Sequence, residues 1–279
     1  MAGLGSVGSR IAEDLVRCGI GSIRLVDPET VEAPNMARSV YQSTDIGICK
    51  TVALGNRLQA IDGGLHVDQF TCAIAEVDIH TLLSGADLVV LATDDMADQA
   101  VLAHWAYWLG IPQVACAVYR KGAAGEVVIV VPRASTSCWN CAVGGDSRSA
   151  ELRPETDYGV GGRLVGESAL GPSINVIASV ASQVAVGLIA GPNSVAGRPL
   201  ARLLAENRTL GMVSTSESWD FFPTVLGEDP YHFAPESVWP RVERRAECFV
   251  CGDHRGRPVS RDEGSRFIEE LENMSSSDN

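Results

Sequence analysis

Three glycines near the start of the sequence, Gly3, Gly5 and Gly8, are spaced G-x-G-x-x-G. Residues without a side chain let the backbone approach a phosphate closely, and a helix opening just after them aims its free N–H groups and positive dipole end at the anion. Residues 11–16 are amphipathic, as such a helix requires, and 22–26 read as the strand that follows. Asp27 closes that strand about twenty residues after Gly5, where a carboxylate would accept hydrogen bonds from a ribose hydroxyl pair. Glycines that only pack a helix against a strand mimic this motif. The nucleotide reading therefore rests on motif, strand, spacing and Asp27 together.

Asn35, Arg38, Lys50 and Asp94 extend the constellation. Asp27 and Asp94 each end an apolar run, and in open α/β sheets ligands gather outside the carboxyl ends of the strands. There Asp94 is placed to hold Mg2+ between phosphates, while Arg38 and Lys50 would neutralise a triphosphate. Singly, each has a plainer reading: Arg38 and Lys50 as solvated surface charges, Asp94 as a helix N-cap.

Two CxxC pairs carry the other chemistry, Cys138 with Cys141 and Cys248 with Cys251, about 110 residues apart. Four thiolates give the tetrahedral shell of a closed structural zinc site, and one shared ion would clip the last quarter of the chain onto the core. Two unrelated pairs or a redox CxxC are the alternatives. Neither pair is expected to open a helix in a thioredoxin-like βαβ unit, which argues against redox.

The elements that must position these groups alternate as in an α/β fold. A helix over 50–60 ends at Asp62-Gly63-Gly64, followed by a strand over 65–73 and a short helix over 77–83. The continuous apolar run 87–92 reads as a buried parallel strand, then a helix over 98–109 and a strand over 111–118. Residues 28–38 are too polar and Pro-broken for a strand, so a loop with a helical turn at 35–38 is expected. Beyond Gly125 the pattern changes: 126–131 should join the sheet antiparallel, and 144–170 reads as a crossing loop. Residues 174–190, apolar nearly all round, predict a buried helix. A late hairpin is expected from 210–213 and 219–222, then a charged, Ser-rich tail after Arg255 with 275–279 disordered.

The fold class expected is thus α/β, with a Rossmann-like, mostly parallel sheet, an antiparallel C-terminal extension and a four-cysteine zinc site. One feature conflicts. A phosphate-binding turn of this kind follows an apolar central strand, yet only Met1 and Ala2 precede Gly3. Roughly five strand residues would be missing. Four buried aliphatic side chains are worth ~6–12 kcal/mol at ~1.5–3 each, comparable with a domain's net stability of ~5–15 kcal/mol. A truncated first strand is expected, from a misplaced start or a shortened chain.

At 279 residues the chain suits one large α/β domain or two small ones. Its 22 basic and 35 acidic residues give −13, which argues against a nucleic-acid binder, since that needs a basic footprint. No apolar stretch reaches about 18 uninterrupted residues and no basic-then-apolar leader opens the chain, so a soluble cytoplasmic protein without membrane contact is expected. The eight cysteines then read as thiols or metal ligands rather than a disulfide framework.

The run from Gly3 to Arg38, the segment Ile46-Gly47-Ile48-Cys49-Lys50, the strand ending Thr93-Asp94-Asp95, Cys138-Trp139-Asn140-Cys141 and the late Cys248-Phe249-Val250-Cys251 come in a familiar order. They resemble the adenylating domains of ubiquitin-activating enzymes and their bacterial relatives ThiF, MoeB and HesA, over roughly residues 2–252. The resemblance implies one adenylating domain over 1–254, with a nucleotide-binding half (1–118), a zinc-bearing half (119–254) and a tail over 255–279. It implies ATP-dependent adenylylation of the C-terminal carboxylate of a small ubiquitin-like or sulfur-carrier protein, with ATP, Mg2+ and structural Zn2+, in a homodimer. By motif, Gly3, Gly5 and Gly8 would cradle phosphates and Asp27 would hold the ribose. Asn35 and Arg38 match the family's N-x-x-R, Lys50 its phosphate-binding lysine and Asp94 its Mg2+ aspartate, making Arg38, Lys50 and Asp94 the catalytic set. Cys138, Cys141, Cys248 and Cys251 match its zinc site. Three positions depart from the pattern: Ser39 stands where Gln usually follows the Arg, Asp95 replaces a common Asn, and Gln99 a frequent Arg.

Competing readings inside the family are activation of a short peptide and modification of a tRNA base, the latter disfavoured by the acidic balance. Outside it stand an NAD-dependent oxidoreductase and a non-catalytic partner subunit. Residues 142–173 contain no cysteine, Cys18 and Cys72 read as small buried hydrophobes, Cys49 flanks Lys50, and Cys116 falls in an interior strand. The reaction is therefore expected to stop at the acyl-adenylate.

Overall fold

The computed structural model describes residues 1–119, 122–132, 136–143, 169–215 and 235–253. Helix α1 (Gly8–Arg17) leads into β1 (Ser22–Val26), and α2 (Lys50–Ile61) into β2 (His66–Phe70). Helix α3 (Ile79–Leu83) leads into β3 (Val89–Leu91), and α4 (Met96–Trp108) into β4 (Gln113–Tyr119). Strands β1 and β2 pair in parallel, as do β3 and β4. Between β1 and β3 lies the start of the chain: Ala2 bridges in parallel to both Val26 and Leu91. Its N–H donates to the Val90 carbonyl at 2.9 Å, and its own carbonyl accepts from Ala92 at 2.8 Å. The central strand expected to be truncated is thus present as this one buried bridging residue.

From β4 onward the pairing reverses. Strands β5 (Ala124–Val130), β6 (Leu210–Ser214) and β7 (Glu236–Val238) add in antiparallel order. The turn between β4 and β5 contains Gly122 at φ +83 and is too short for the crossover helix that a parallel strand would need. Among the described residues the parallel strands through β4 are thus followed by the expected antiparallel C-terminal extension, β5 to β7.

Alternation along β3 builds the layers. Val89 and Leu91 join α4 and the paired cysteines on one face, while Val90 joins α1 and α6 (Gly171–Ala190) on the other. A third cluster packs Leu54 and Leu58 of α2 against Ile23 and Leu25. Helix α6 was expected to be buried all round, but it buries one face only: Asn175, Ser179 and Gln183 form an exposed stripe along it. Its length and mean hydropathy of 1.8 would also suit a membrane span, yet its other face packs on α1, β4 and β5. A short helix not anticipated, α7 (Arg198–Ala205), follows and sets Leu200 into the same core. Residue range 210–213 does become a strand, but its partners are β5 and β7. The other hairpin arm (219–222), the crossing loop over 144–168 and the tail from 254 lie outside the described residues.

Candidate functional site

The glycine turn sits at the carboxyl end of the sheet, between β1 and β3. Gly3 has φ +83, and a Cβ there would come within 2.6 Å of the Ala92 carbonyl. A Cβ on Gly8 would stand 2.0 Å from the Gly3 carbonyl oxygen. Both are fixed by the protein's own packing. Gly5 differs, because a Cβ there would meet nothing within 4 Å. Open space above a glycine at the mouth of α1 is where a phosphate could approach the backbone.

Asp27 faces this turn and is 5% exposed. Its carboxylate accepts from the Leu4 N–H at 2.7 Å and the Glu29 N–H at 2.9 Å. Burial pushes the carboxyl above its ordinary value, against the opposing pull of Lys50 and the two N–H groups. The loop beyond β1 is tied back to the turn by Tyr41, whose hydroxyl donates to the Leu4 carbonyl at 2.7 Å. Lys50 opens α2 and is buried, with its ammonium donating to the Glu29 carboxylate. The surface-charge alternative for Lys50 is therefore set aside. Glu29, Tyr41 and Arg10 were missed by sequence reasoning. Only Glu29 carried a signal, as a second acid two residues after Asp27.

Asn35 lies in a 3-10 turn over Ala33–Ala37, and its side-chain oxygen accepts from the Glu32 N–H at 2.8 Å. Arg38 follows that turn. Its carbonyl accepts from Nε of Arg10 at 3.3 Å, which pins the loop to the first turn of α1. Ser39, standing in place of the usual Gln, donates its hydroxyl to the Asn35 carbonyl at 2.6 Å. The loop carrying the N-x-x-R pair is thus tied to the first turn of α1, with Asn35 committed to loop geometry.

Asp94 follows β3 at the same end of the sheet and is exposed. It is not the N-cap of α4. That place belongs to Asp95, which accepts from the Ala97 N–H at 2.9 Å and the Asp98 N–H at 3.0 Å. Gln99 is 4% exposed, and its amide donates to the Thr93 carbonyl. Thr93 in turn accepts from the Asp95 N–H at 3.2 Å through its hydroxyl. This network fixes the turn from which Asp94 projects. Gly3, Asp27, Lys50 and Asp94 are brought to one edge by four separate elements.

The four paired cysteines meet on the opposite face, all buried, with their sulfurs within 4.8 Å of one another. Sγ of Cys138 lies 3.6 Å from that of Cys248, and Sγ of Cys141 lies 3.5 Å from that of Cys251. Metal–sulfur bonds of about 2.3 Å in a tetrahedron space sulfurs by about 3.8 Å, so the cluster fits a metal ion. Cys138 precedes a five-residue helix, α5 (Trp139–Val143), which follows antiparallel β5 rather than a parallel strand of a βαβ unit. The clustering of both pairs favours one shared metal ion over two unrelated pairs or a redox CxxC. The second pair is docked on α4, where the ring of His104 meets Phe249 edge-on at 5.1 Å.

Cys116 is buried in β4 with its sulfur 3.7 Å from the Leu91 carbonyl. Cys18 and Cys72 are not buried: Cys18 caps the C-terminal end of α1 in solvent, and Cys72 falls past the end of β2 and is half-buried.

A glycine turn, an acid at the end of the next strand and a buried lysine meet at one end of the sheet of an α/β domain. Residues 1–217 match the ThiF family, and the chain belongs to that family. It is 30% identical over 155 residues to the ubiquitin-like modifier-activating enzyme 5 of Oryza sativa subsp. japonica, covering 51% of this chain and 37% of that protein. It is 31% identical over 144 residues to the sulfur carrier protein ThiS adenylyltransferase of Bacillus subtilis, covering 50% of this chain and 41% of that protein. The matched stretch thus spans well under two thirds of either relative. The fold is shared with E. coli MccB, solved with ATP, at a TM-score of 0.62 and 18% identity over 90% of this chain and 65% of that one. The family assignment leaves the oxidoreductase reading without support.

Proposed function

We propose that the chain is an ATP-dependent adenylyltransferase that activates the C-terminal carboxylate of a small ubiquitin-like or sulfur-carrier protein. The observation that carries this reading is the meeting of the open Gly5 turn, buried Asp27, buried Lys50 and exposed Asp94 at one edge of the sheet. A dinucleotide needs the first two only, whereas a triphosphate makes use of all four.

In this reading phosphates approach the turn at the open Gly5, which Gly3 and Gly8 shape, and Asp27 holds the ribose. The carrier carboxylate attacks the α-phosphorus, the bond to pyrophosphate breaks, and an acyl–phosphate anhydride forms. Charge shifts onto the departing pyrophosphate, and Arg38 and Lys50 are the cations available to offset it. Mg2+, held by Asp94, supplies further positive charge when bound. Structural zinc is the ion proposed for the four cysteines, because a closed four-thiolate tetrahedral shell is a standard structural zinc site. A homodimer is the proposed assembly.

ATP–pyrophosphate exchange with candidate carriers tests the reading. Exchange that depends on a carrier ending in a free carboxylate is expected, and none with any carrier would overturn it. A second reading, activation of a short peptide, draws on the fold shared with E. coli MccB, solved with MccA. Short peptides with free carboxyl termini belong in the same assay.

A further inference from the structure

Four thiolates around a divalent ion leave two net negative charges in a buried place. Buried charge is costly unless it is paired or hydrogen-bonded. Two consecutive arginines approach this cluster from an irregular segment just before the second cysteine pair. The guanidinium of Arg245 donates to the Asn140 carbonyl at 3.2 Å, between Cys138 and Cys141, and also reaches the Cys141 sulfur. Its backbone N–H faces that same sulfur. Arg244 points the other way: it donates to the Cys251 carbonyl at 2.6 Å and pairs with Asp253 at 2.8 Å.

The two cysteine pairs are far apart in sequence, so the ion alone cannot set their relative orientation before it binds. Arg245 spans that gap: its carbonyl accepts from the Cys248 N–H at 3.2 Å, while its backbone N–H and guanidinium lie on the first pair. We infer that Arg245 is a metal-retaining residue of the four-cysteine site: its cation offsets thiolate charge, and its planar fork ties the first cysteine pair to the second, while Arg244 orients the second pair. The inference rests on the cluster holding a divalent metal ion and is independent of the adenylation chemistry.

The test is metal release from the zinc-loaded full chain into a chromophoric chelator, with far-UV circular dichroism as a check of folding. Outer-shell partners of metal ligands typically matter by about 10–100-fold in metal affinity. Arg245→Gln, which keeps a donor but loses the charge, should release zinc about 10–100-fold faster than the wild type. Arg245→Lys should fall between, since an ammonium keeps the charge but cannot serve oxygen and sulfur as one planar fork. Arg241→Gln, on the same segment, should leave release unchanged. A wild-type release rate in either Arg245 variant would overturn the inference, and so would a wild-type chain, purified without chelator, that carries no metal. Because pyrophosphate exchange does not enter the measurement, its failure would leave this result standing.

Discussion

The Lys50 ammonium, with its side chain 7% exposed, is held by the carboxylate of Glu29, whose side chain is 63% exposed. A cation so placed can meet a phosphate only by exchanging one anion for another. The exchange is cheap, because the exposed Glu29 can turn into solvent and pairs with one exposed partner contribute only ~0–1 kcal/mol. Glu29 is therefore a competitor at the proposed phosphate site. Glu29→Gln should raise affinity for Mg2+-free ATP by up to about fivefold, the equivalent of ~1 kcal/mol, and Lys50→Ala should lower it. Isothermal titration measures both. Unchanged or weaker binding in Glu29→Gln would remove Glu29 from the site's account.

Asp27 supplies a pH signature. Burial raises its carboxyl above the ordinary value, so the folded state holds this proton more tightly than the unfolded chain. The resulting stabilisation is present below the ordinary carboxylate range and is lost as pH rises through the raised value. Asp27→Asn cannot ionise and escapes that loss. Its stability relative to wild type should improve between about pH 4 and pH 7, whatever constant offset comes from losing one acceptor. Urea denaturation across that range gives the slope, and the opposite sign would mean that the bonds from Leu4 and Glu29 outweigh burial.

Neighbouring acids at the end of β3 have separable duties. Asp95 caps α4 through two backbone N–H groups, and replacing such a cap by Ala costs ~0.5–2 kcal/mol. Asp94 makes no such bond and is exposed. Asp94→Ala should keep wild-type thermal stability and lose Mg2+-dependent pyrophosphate exchange. Asp95→Ala should be the less stable protein. A destabilised Asp94→Ala, or one with full exchange, contradicts the division.

These contrasts mark how far the sequence was legible. The glycine spacing, Asp27 and the two CxxC pairs are local patterns, and each lands where its spacing implies. Strands 22–26 and 87–92 were visible because apolar runs bounded by turns leave little choice. Glu29, Tyr41, Gln99 and Arg245 act through partners distant in sequence or through one turn of loop, and no periodicity marks such contacts. Cys18 was misread because it lies three residues after the buried Leu15, where helical period would bury it, but α1 ends at Arg17. The one-sided burial of α6 could have been read from Asn175, Ser179 and Gln183, whose four-residue spacing puts one polar stripe on an otherwise apolar helix.

The three glycines should respond differently to a methyl group. Gly8→Ala drives a Cβ into the Gly3 carbonyl, and relief by backbone movement costs ~1–3 kcal/mol or more. Gly5→Ala meets open space, and at a compatible backbone angle it should be neutral or stabilising by ~0.4–1 kcal/mol. Its cost should appear in binding, since the methyl occupies the space proposed for phosphate. Gly5→Ala with wild-type stability and weakened ATP affinity is expected. Wild-type affinity would move the phosphates elsewhere.

The reaction should end at the acyl-adenylate. A thioester or persulfide needs a thiolate near the activated carbonyl, and residues 142–173 offer no cysteine. Cys116 is the interior alternative, but burial, with Glu126 nearby, pushes its thiol up to about 12, so almost none is thiolate at neutral pH. Cys18 is exposed, yet it stands at the C-terminal end of α1, about 15 Å of helix from the glycine turn. Alkylating agents should modify Cys18 ahead of Cys116 and leave ATP binding intact. Incubating the chain with ATP and a carrier it adenylates, then running a non-reducing gel, should give no thiol-sensitive conjugate, and Cys116→Ala should form adenylate as the wild type does. A conjugate that disappears in Cys116→Ala while exchange persists would establish a covalent step at a buried thiol. Without one, the activated carbonyl is expected to pass to a thiol or amine on another molecule.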